Sequence, residues 1–368
     1  MSTIRITIET VDSIHSHPNA DRLEIVHILG TQTITGKGDF QPGDRVVFFP
    51  PDILIPLDVS EKLGVQQYLK HGWWKDDPTN DDLGTKCKCR VAACRLRGIP
   101  SYGFIASVPE GISESGQDTD LTDYYRAIKY EPPVRLTMSG DCIAEPANFH
   151  RYTKIEHYYR FAHTIEPGMM IRVTEKVHGT NCRLASLNID GLDGFVCGSH
   201  RTAQKETTAR GRPSLYWEPL NRDPQIQTAL QRLSQFGDVI IYGEIFGPGV
   251  QDLDYGVQGG RIGFRVFDIA INGRYMDWET LHTTCIGYGM QLVPLIYLGP
   301  FDPECLEEWT NGPSLMVDDA DRIKARFKGR EGCVLTPLDE AYHEDVGRVV
   351  LKSVSADYLD RKGAKDNG

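Results

Sequence analysis

The chain has 368 residues, 40% of them hydrophobic and 25% charged. That is the balance of a soluble globular protein, and the length suits two domains better than one core. A net charge of −11 argues against a protein that merely coats nucleic acid, since phosphate binding wants positive surface, but does not exclude an enzyme with lysines and arginines gathered at one site.

The start, MSTIRITIET, lacks a basic segment followed by an apolar run, so no secretory signal is expected. With no stretch of about 18 apolar residues, no membrane-spanning helix is expected either. Nine cysteines, an odd number in a large chain, read as reduced thiols of a cytoplasmic protein.

Ile4, Ile6 and Ile8 alternate as on one face of a strand. Leu23 to Leu29 and Asp44 to Phe49 predict further strands, separated by Gly and Pro clusters. Short strands at this spacing suggest a small barrel. The run His17-Pro18-Asn19-Ala20-Asp21-Arg22-Leu23 resembles the opening of the OB-fold domains of tRNA-binding proteins, and Gln41-Pro42-Gly43-Asp44-Arg45-Val46 fits the following turn and strand. Trp73-Trp74 beside Lys70, His71 and Lys75 reads either as a stacking and phosphate-binding patch or as tryptophans packed on the barrel. Cys87, Cys89 and Cys94 lack standard zinc-knuckle spacing and a clear fourth ligand, so plain thiols are expected.

Residues 111–150 are rich in Gly, Ser, Pro and acidic groups, and Glu131-Pro132-Pro133 cannot lie inside a helix or central strand. They are read as the connection between a first domain, residues 1–110, and a second, residues 151–368. In the second, apolar strands are predicted at Met169 to Val173, Val239 to Tyr242, Arg261 to Ile269, Gly332 to Thr336 and Arg348 to Leu351. Longer polar or helical pieces separate them, an α+β pattern.

The strongest local signal is Glu175-Lys176-Val177-His178-Gly179-Thr180-Asn181. A lysine held at a strand end, partly desolvated and near other cations, favours the neutral amine, which can attack phosphorus. Gly179 would let backbone approach a nucleotide closely. Taken alone, a lysine before a turn is more often just an exposed lysine.

The order of the downstream pieces changes that. Lys176 to Asn181 resembles motif I of the covalent nucleotidyltransferases, in the form typical of the RNA ligase 2 family. Ser199-His200-Arg201 falls at motif Ia, and Tyr242-Gly243-Glu244-Ile245-Phe246-Gly247 at motif III. Phe264-Arg265-Val266-Phe267-Asp268-Ile269 resembles motif IIIa, Glu331-Gly332-Cys333-Val334 motif IV, and Val350-Leu351-Lys352-Ser353 motif V. DNA ligases and capping enzymes usually carry an OB domain after motif V, whereas this chain ends sixteen residues past Lys352. The arrangement is similar to RNA ligases with an N-terminal OB domain. The expected fold is therefore an N-terminal all-β OB-like barrel followed by an α+β nucleotidyltransferase domain of the ATP-grasp-like ligase type.

The resemblance implies an ATP-dependent RNA ligase that joins a 3′-OH to a 5′-phosphate, acting on nicked duplex or RNA ends, without a membrane, as a monomer. Lys176 would form lysyl-AMP, with Lys352 stabilising charge on the α-phosphate. Glu244 and Glu331 are expected near Mn²⁺ or Mg²⁺. Phe267 would stack on adenine unless it is simply core, and Arg201 would hold ribose or a 5′-phosphate unless it is only solvated surface. Glu175 is a candidate for adenine or local backbone contact, and Asn181 for a phosphate or a metal-bound water.

Two positions depart from the pattern. His178 stands where many members have aspartate, so the metal would rest more on Glu244 and Glu331. Val350 replaces the first lysine of Lys-x-Lys, and Arg348, two residues earlier on the same strand face, is expected to supply the missing charge. The competing readings are a DNA ligase, a capping-type guanylyltransferase, and an RNA-binding OB protein with an inactive second domain. The last is disfavoured by the presence of Lys176, Glu244, Glu331 and Lys352 together.

Overall fold

A computed structural model describes residues 5–74, 85–112, 116–117, 119–130, 141–189, 191–251, 253, 255–257, 261–317 and 329–360. Ile4, Lys75 and Glu131-Pro132-Pro133 lie outside these. The chain divides into two compact units, Met1–Val134 and Arg135–Gly368.

In the first unit, Thr7–Thr10, Arg45–Phe49 and Phe104–Ser107 form an antiparallel sheet, and Ser13–Ser16, Leu23–Ile28 and Thr31–Gly36 form a meander. Alternation places Ile6, Ile8, Val47 and Phe49 in one apolar cluster with Ile53, Leu69 and Val91. The out-of-phase residues Val46 and Phe48 bury against Val26 and Ile28, so the central strand is apolar on both faces. Lys70–Trp74 pairs with Thr85–Val91, setting His71 opposite Lys88 and Trp73 opposite Lys86. Both tryptophans are half-buried while Lys70, His71, Lys86 and Lys88 are exposed.

The segment expected to connect the domains contributes to both units. Leu121, Tyr125 and Ala127 bury in the first unit's core, and Ile128–Lys129 pairs with Ile53–Leu54. Phe149, by contrast, packs with Tyr152, Leu187 and Tyr242 in the second unit. Its polar composition hides these anchors, which are spaced singly rather than in a periodic run.

Among the described residues the second unit holds two large sheets and one small hairpin. One has the strand order Glu156–His157, Leu351–Val354, Gly332–Pro337, Met170–Glu175, Leu295–Pro300. The other runs Ala203–Gln204, Leu192–Ser199, Thr180–Ile189, Val239–Phe246, Gly263–Ile271, Arg274–Tyr275. Two helices pack on the second sheet. Pro224–Leu233 is capped by Asp223, which accepts from the Gln225 N–H, and buries Ile226, Ala229, Leu230 and Leu233 on one face. Trp278–Tyr288 starts at Asp277, which accepts from the Thr280 N–H, and ends at Gly289 in the left-handed conformation.

The strand predicted over Arg348 to Leu351 is divided. Gly347–Arg348 pairs with Tyr342–His343 in a small hairpin, and Leu351–Val354 joins the first sheet. Gly347, with φ of 69°, supports the hairpin's turn.

Candidate active site

Met170–Glu175 sits between Gly332–Pro337 and Leu295–Pro300, with Ile171 and Val173 fully buried. The chain then crosses from this sheet to the other. The Lys176 N–H still donates to the Gly332 carbonyl at 3.0 Å, Val177 packs with Phe246 and Val293, and Thr180 begins the opposite sheet's strand. Gly179 makes the crossing possible: a Cβ there would lie 2.2 Å from the Ile245 carbonyl oxygen and 2.8 Å from Glu244 Cγ.

At this junction Lys176 Nζ donates to Glu331 Oε1 at 2.5 Å. The lysine side chain is 17% exposed and the glutamate 2%. The other oxygen, Oε2, lies 3.2 Å from His178 Nδ1, which also meets the Tyr358 hydroxyl at 2.7 Å. The His178 backbone N–H donates to the Tyr255 hydroxyl at 2.7 Å.

Glu331 is fixed from behind. Its carbonyl accepts the Ser355 N–H at 2.8 Å, and a Cβ on Gly332 would fall 2.0 Å from the Ser353 carbonyl oxygen. This close approach packs the Glu331 segment against the strand bearing Lys352, which is buried opposite Val334.

Glu244 comes from Val239–Phe246 and accepts the Gly179 N–H. Burial pushes its carboxyl up to about 8; Lys176 opposes the shift and Glu331 adds to it. Asn181 stands opposite Glu244 in the sheet register, and its Oδ1 is buried with no hydrogen-bond partner among the described residues. An acceptor left so opposite a buried carboxylate suits a site that receives a donor or a cation from outside.

Glu175 is buried, and both its oxygens are engaged, Oε1 by Ser314 Oγ at 2.5 Å and Oε2 by the Leu315 N–H at 2.6 Å. It therefore holds the 314–315 backbone. Phe267 occupies a bulge: Tyr242 faces Asp268 and Gly243 faces Val266, leaving Phe267 as the extra residue. It is half-buried, edge-on to Tyr152 at 4.8 Å. Arg201 lies in the turn after Leu192–Ser199. Its N–H donates to Ser199 Oγ at 3.2 Å, and its carbonyl accepts Arg151 Nη2 at 3.1 Å. Burial, with Arg183, Arg201 and Arg151 nearby, pushes the neighbouring His200 down to about 4.

Arg348 does not supply the charge expected of it. Its Nη1 donates to Asp268 Oδ2 at 2.8 Å and to the Tyr152 hydroxyl at 3.0 Å, and its Nε donates to Glu340 Oε2 at 2.5 Å. Asp268, fully buried, also accepts from Tyr152 at 2.7 Å and from Arg172 at 3.4 Å. The guanidinium is thus neutralised inside a structural network. Sequence reasoning gave no role to Tyr358, Tyr255 or Ser314.

All nine cysteines are free thiols. Cys87, Cys89 and Cys94 form no metal-ligand group among the described residues, and burial pushes Cys89 up to about 12. No helix among the described residues is long and apolar enough to cross a membrane.

A β-barrel unit followed by a two-sheet unit, with a lysine at the sheet junction facing two glutamates, defines a nucleotidyltransferase of the polynucleotide ligase class. The RNA ligase family model matches residues 170–354, and an OB-fold domain model matches residues 5–108. The chain belongs to the RNA ligase family. Solved structures of Naegleria gruberi RNA ligase share the fold across nearly the whole chain. The complex with PPi has 24% identity and a TM-score of 0.70, with 98% of each chain covered. A point mutant with AMP and Mn has 23% identity and a TM-score of 0.71, covering 99% of this chain and 100% of that one. Another mutant, with ATP and Mn, has 24% identity and a TM-score of 0.70, covering 97% and 98%. Comparison with curated protein sequences gives no match.

Proposed function

We propose that this protein is an ATP-dependent RNA ligase that seals 3′-OH and 5′-phosphate ends through lysyl-AMP and RNA-adenylate intermediates. The observation that carries this reading is the 2.5 Å contact between Lys176 Nζ and Glu331 Oε1 at the sheet junction, with Glu244 electrostatically coupled to both. The Lys176 amine attacks the α-phosphorus of ATP, forming a P–N bond as the P–O bond to pyrophosphate breaks. Glu331 Oε1 is an acceptor already aligned for an ammonium proton. Lys352 stabilises negative charge on the phosphate. Asn181 Oδ1 has acceptor capacity for a ligand-borne donor. Phe267, turned out of register by its bulge, stacks on the adenine, and Arg201 holds ribose or the incoming 5′-phosphate. Glu175 shapes the site indirectly through the 314–315 backbone. The resulting adenylate passes to the RNA 5′-phosphate, and the 3′-OH then displaces AMP.

The residues fit a divalent cation. Burial, opposed by Lys176 and aided by Glu331, raises the Glu244 carboxyl, and a cation at Glu244 and Glu331 would favour both carboxylates. When bound, Mn²⁺ or Mg²⁺ would neutralise charge on the phosphates. The same ligands, ATP, AMP and Mn, occur with the matched Naegleria ligase.

Incubation with α-labelled ATP or GTP and denaturing electrophoresis tests the reading. Label from ATP should stay on the wild-type protein and be absent from Lys176→Ala and Lys176→Arg, since a guanidinium stays protonated near neutral pH. Label from GTP alone would indicate capping-type chemistry. Retention by Lys176→Ala would remove the lysine from its role.

A further inference from the structure

His163, on the turn Ala162–Thr164, and His343 and Asp345, on the hairpin of Tyr342–His343 and Gly347–Arg348, lie on elements that carry none of the nucleotidyltransferase motifs. They nevertheless converge. His163 Nε2 is 2.8 Å from Asp345 Oδ2, and His343 Nδ1 is 3.6 Å from the same oxygen. The two rings meet edge-on at 5.2 Å. Among the described residues this is the one group of three or more His, Cys, Asp or Glu whose ligand atoms all lie within 4.8 Å of one another.

We propose that these three side chains form a binding site for a transition-metal cation of the zinc type, additional to the cation of nucleotidyl transfer. The spacing carries the inference. Ligand bonds of about 2.0–2.1 Å in a tetrahedron place neighbouring donor atoms roughly 3.3–3.4 Å apart. The two measured separations, 2.8 and 3.6 Å, bracket that edge, so a cation is accommodated by shifts of a few tenths of an ångström.

The Asp345 N–H donates to His343 Nδ1 at 3.2 Å, so this nitrogen carries no proton, and a metal bound there would replace that hydrogen bond without displacing a proton. His163 Nε2, 2.8 Å from the carboxylate oxygen, donates its proton there; coordination through Nε2 would require the tautomer with the proton on Nδ1. Side-chain exposures of 55% for His163, 35% for His343 and 31% for Asp345 leave a path in and an open fourth position for water. Two imidazoles and one carboxylate favour Zn²⁺, Ni²⁺ or Cu²⁺ over Mg²⁺ or Ca²⁺, which prefer all-oxygen shells. The bound ion would pin the 162–164 turn to the hairpin that leads into the Lys352 strand.

The test is calorimetric titration of the full chain with Zn²⁺ in excess Mg²⁺, for wild type, His343→Ala and Asp345→Asn. Wild type should show one Zn²⁺ site that the variants lose or bind roughly tenfold or more weakly, since removing a direct ligand costs at least as much as disturbing an outer-shell partner. Zn²⁺ should also raise the melting temperature of wild type more than that of either variant. Because all three residues are surface-accessible, melting without metal should be nearly unchanged. Zinc binding of equal strength and stoichiometry in all three proteins would assign the metal to thiols or to Glu244 and Glu331 and overturn the proposal; so would no binding to wild type.

Discussion

The Tyr358 hydroxyl lies 2.7 Å from Nδ1 of His178, a contact spanning 180 residues that ties the short helix Ala356–Asp360 to the segment following Lys176. His178 Nδ1 also faces Glu331 Oε2 at 3.2 Å, so one ring nitrogen serves two partners. A neutral Nδ1 accepts from Tyr358; a protonated one donates toward Glu331. Tyr358→Phe removes the hydroxyl and keeps the ring. It should lower stability by about 1 kcal/mol, the usual net worth of a hydrogen bond, and slow lysyl-AMP formation without abolishing it. Urea melts and single-turnover labelling measure the two effects. Unchanged values for both would reduce the contact to packing.

Gly179→Ala tests the sheet crossing. The new Cβ would stand 2.2 Å from a backbone oxygen, which cannot rotate away, so the turn itself must move. Overpacking of this kind costs about 1–3 kcal/mol. The Gly179 N–H bond to Glu244 should weaken with it, so adenylylation should fall further than the loss of folded protein explains. Activity that simply tracks the folded fraction would confine Gly179 to a structural role.

Both the barrel's alternating strands and the lysine-bearing strand were legible in the sequence because their signals are local. Ile6 and Ile8 alternate, and Lys176, Gly179, Glu244, Glu331 and Lys352 stand at spacings that an ordered motif series exposes. What escaped depends on contacts made across the fold. The bulge that singles out Phe267 arises from pairing with Tyr242 and Gly243, and no residue in its own strand announces it. Arg348 lies close to motif V in sequence, yet its charge is taken by Asp268, a residue quoted within motif IIIa without a role, and by Glu340. Leu121 and Tyr125 complete the first unit's core from inside a stretch whose composition reads as a connector.

The Arg348 network gives a stability prediction opposite in kind to a catalytic one. Arg348→Ala strands Asp268, fully buried, with only Tyr152 and a 3.4 Å contact to Arg172. Breaking a buried pair from one side costs about 3–5 kcal/mol. Asp268→Asn should also destabilise, and the double variant should lose less than the sum, because the two share one interaction. Denaturant melts of the three variants supply the cycle. The folded fraction of Arg348→Ala should still take label from ATP. A variant as stable as wild type that fails to label would return Arg348 to the phosphate.

Glu244 makes stability depend on pH in a definite direction. Burial, and secondarily Glu331, outweigh Lys176 and lift its carboxyl from an ordinary 4.5 to about 8, so the folded chain holds this proton more tightly than the unfolded chain. The stability tied to that proton is fully present below the unfolded value and is lost as pH rises through the folded one. Melting temperature should therefore decline from about pH 4.5 to about pH 8 and level off above that in the absence of divalent cation. Glu244→Gln keeps the shape and cannot ionise, so its decline over the same range should be shallower. Mg²⁺ or Mn²⁺ should flatten the wild-type curve, since a cation beside Glu244 favours the carboxylate, and should do less for the glutamine variant. Melting curves of both proteins across this range, with and without the cation, separate the cases. Parallel curves under all conditions would show that Glu244 does not change protonation on folding, and would remove the electrostatic argument for a cation at Glu244 and Glu331.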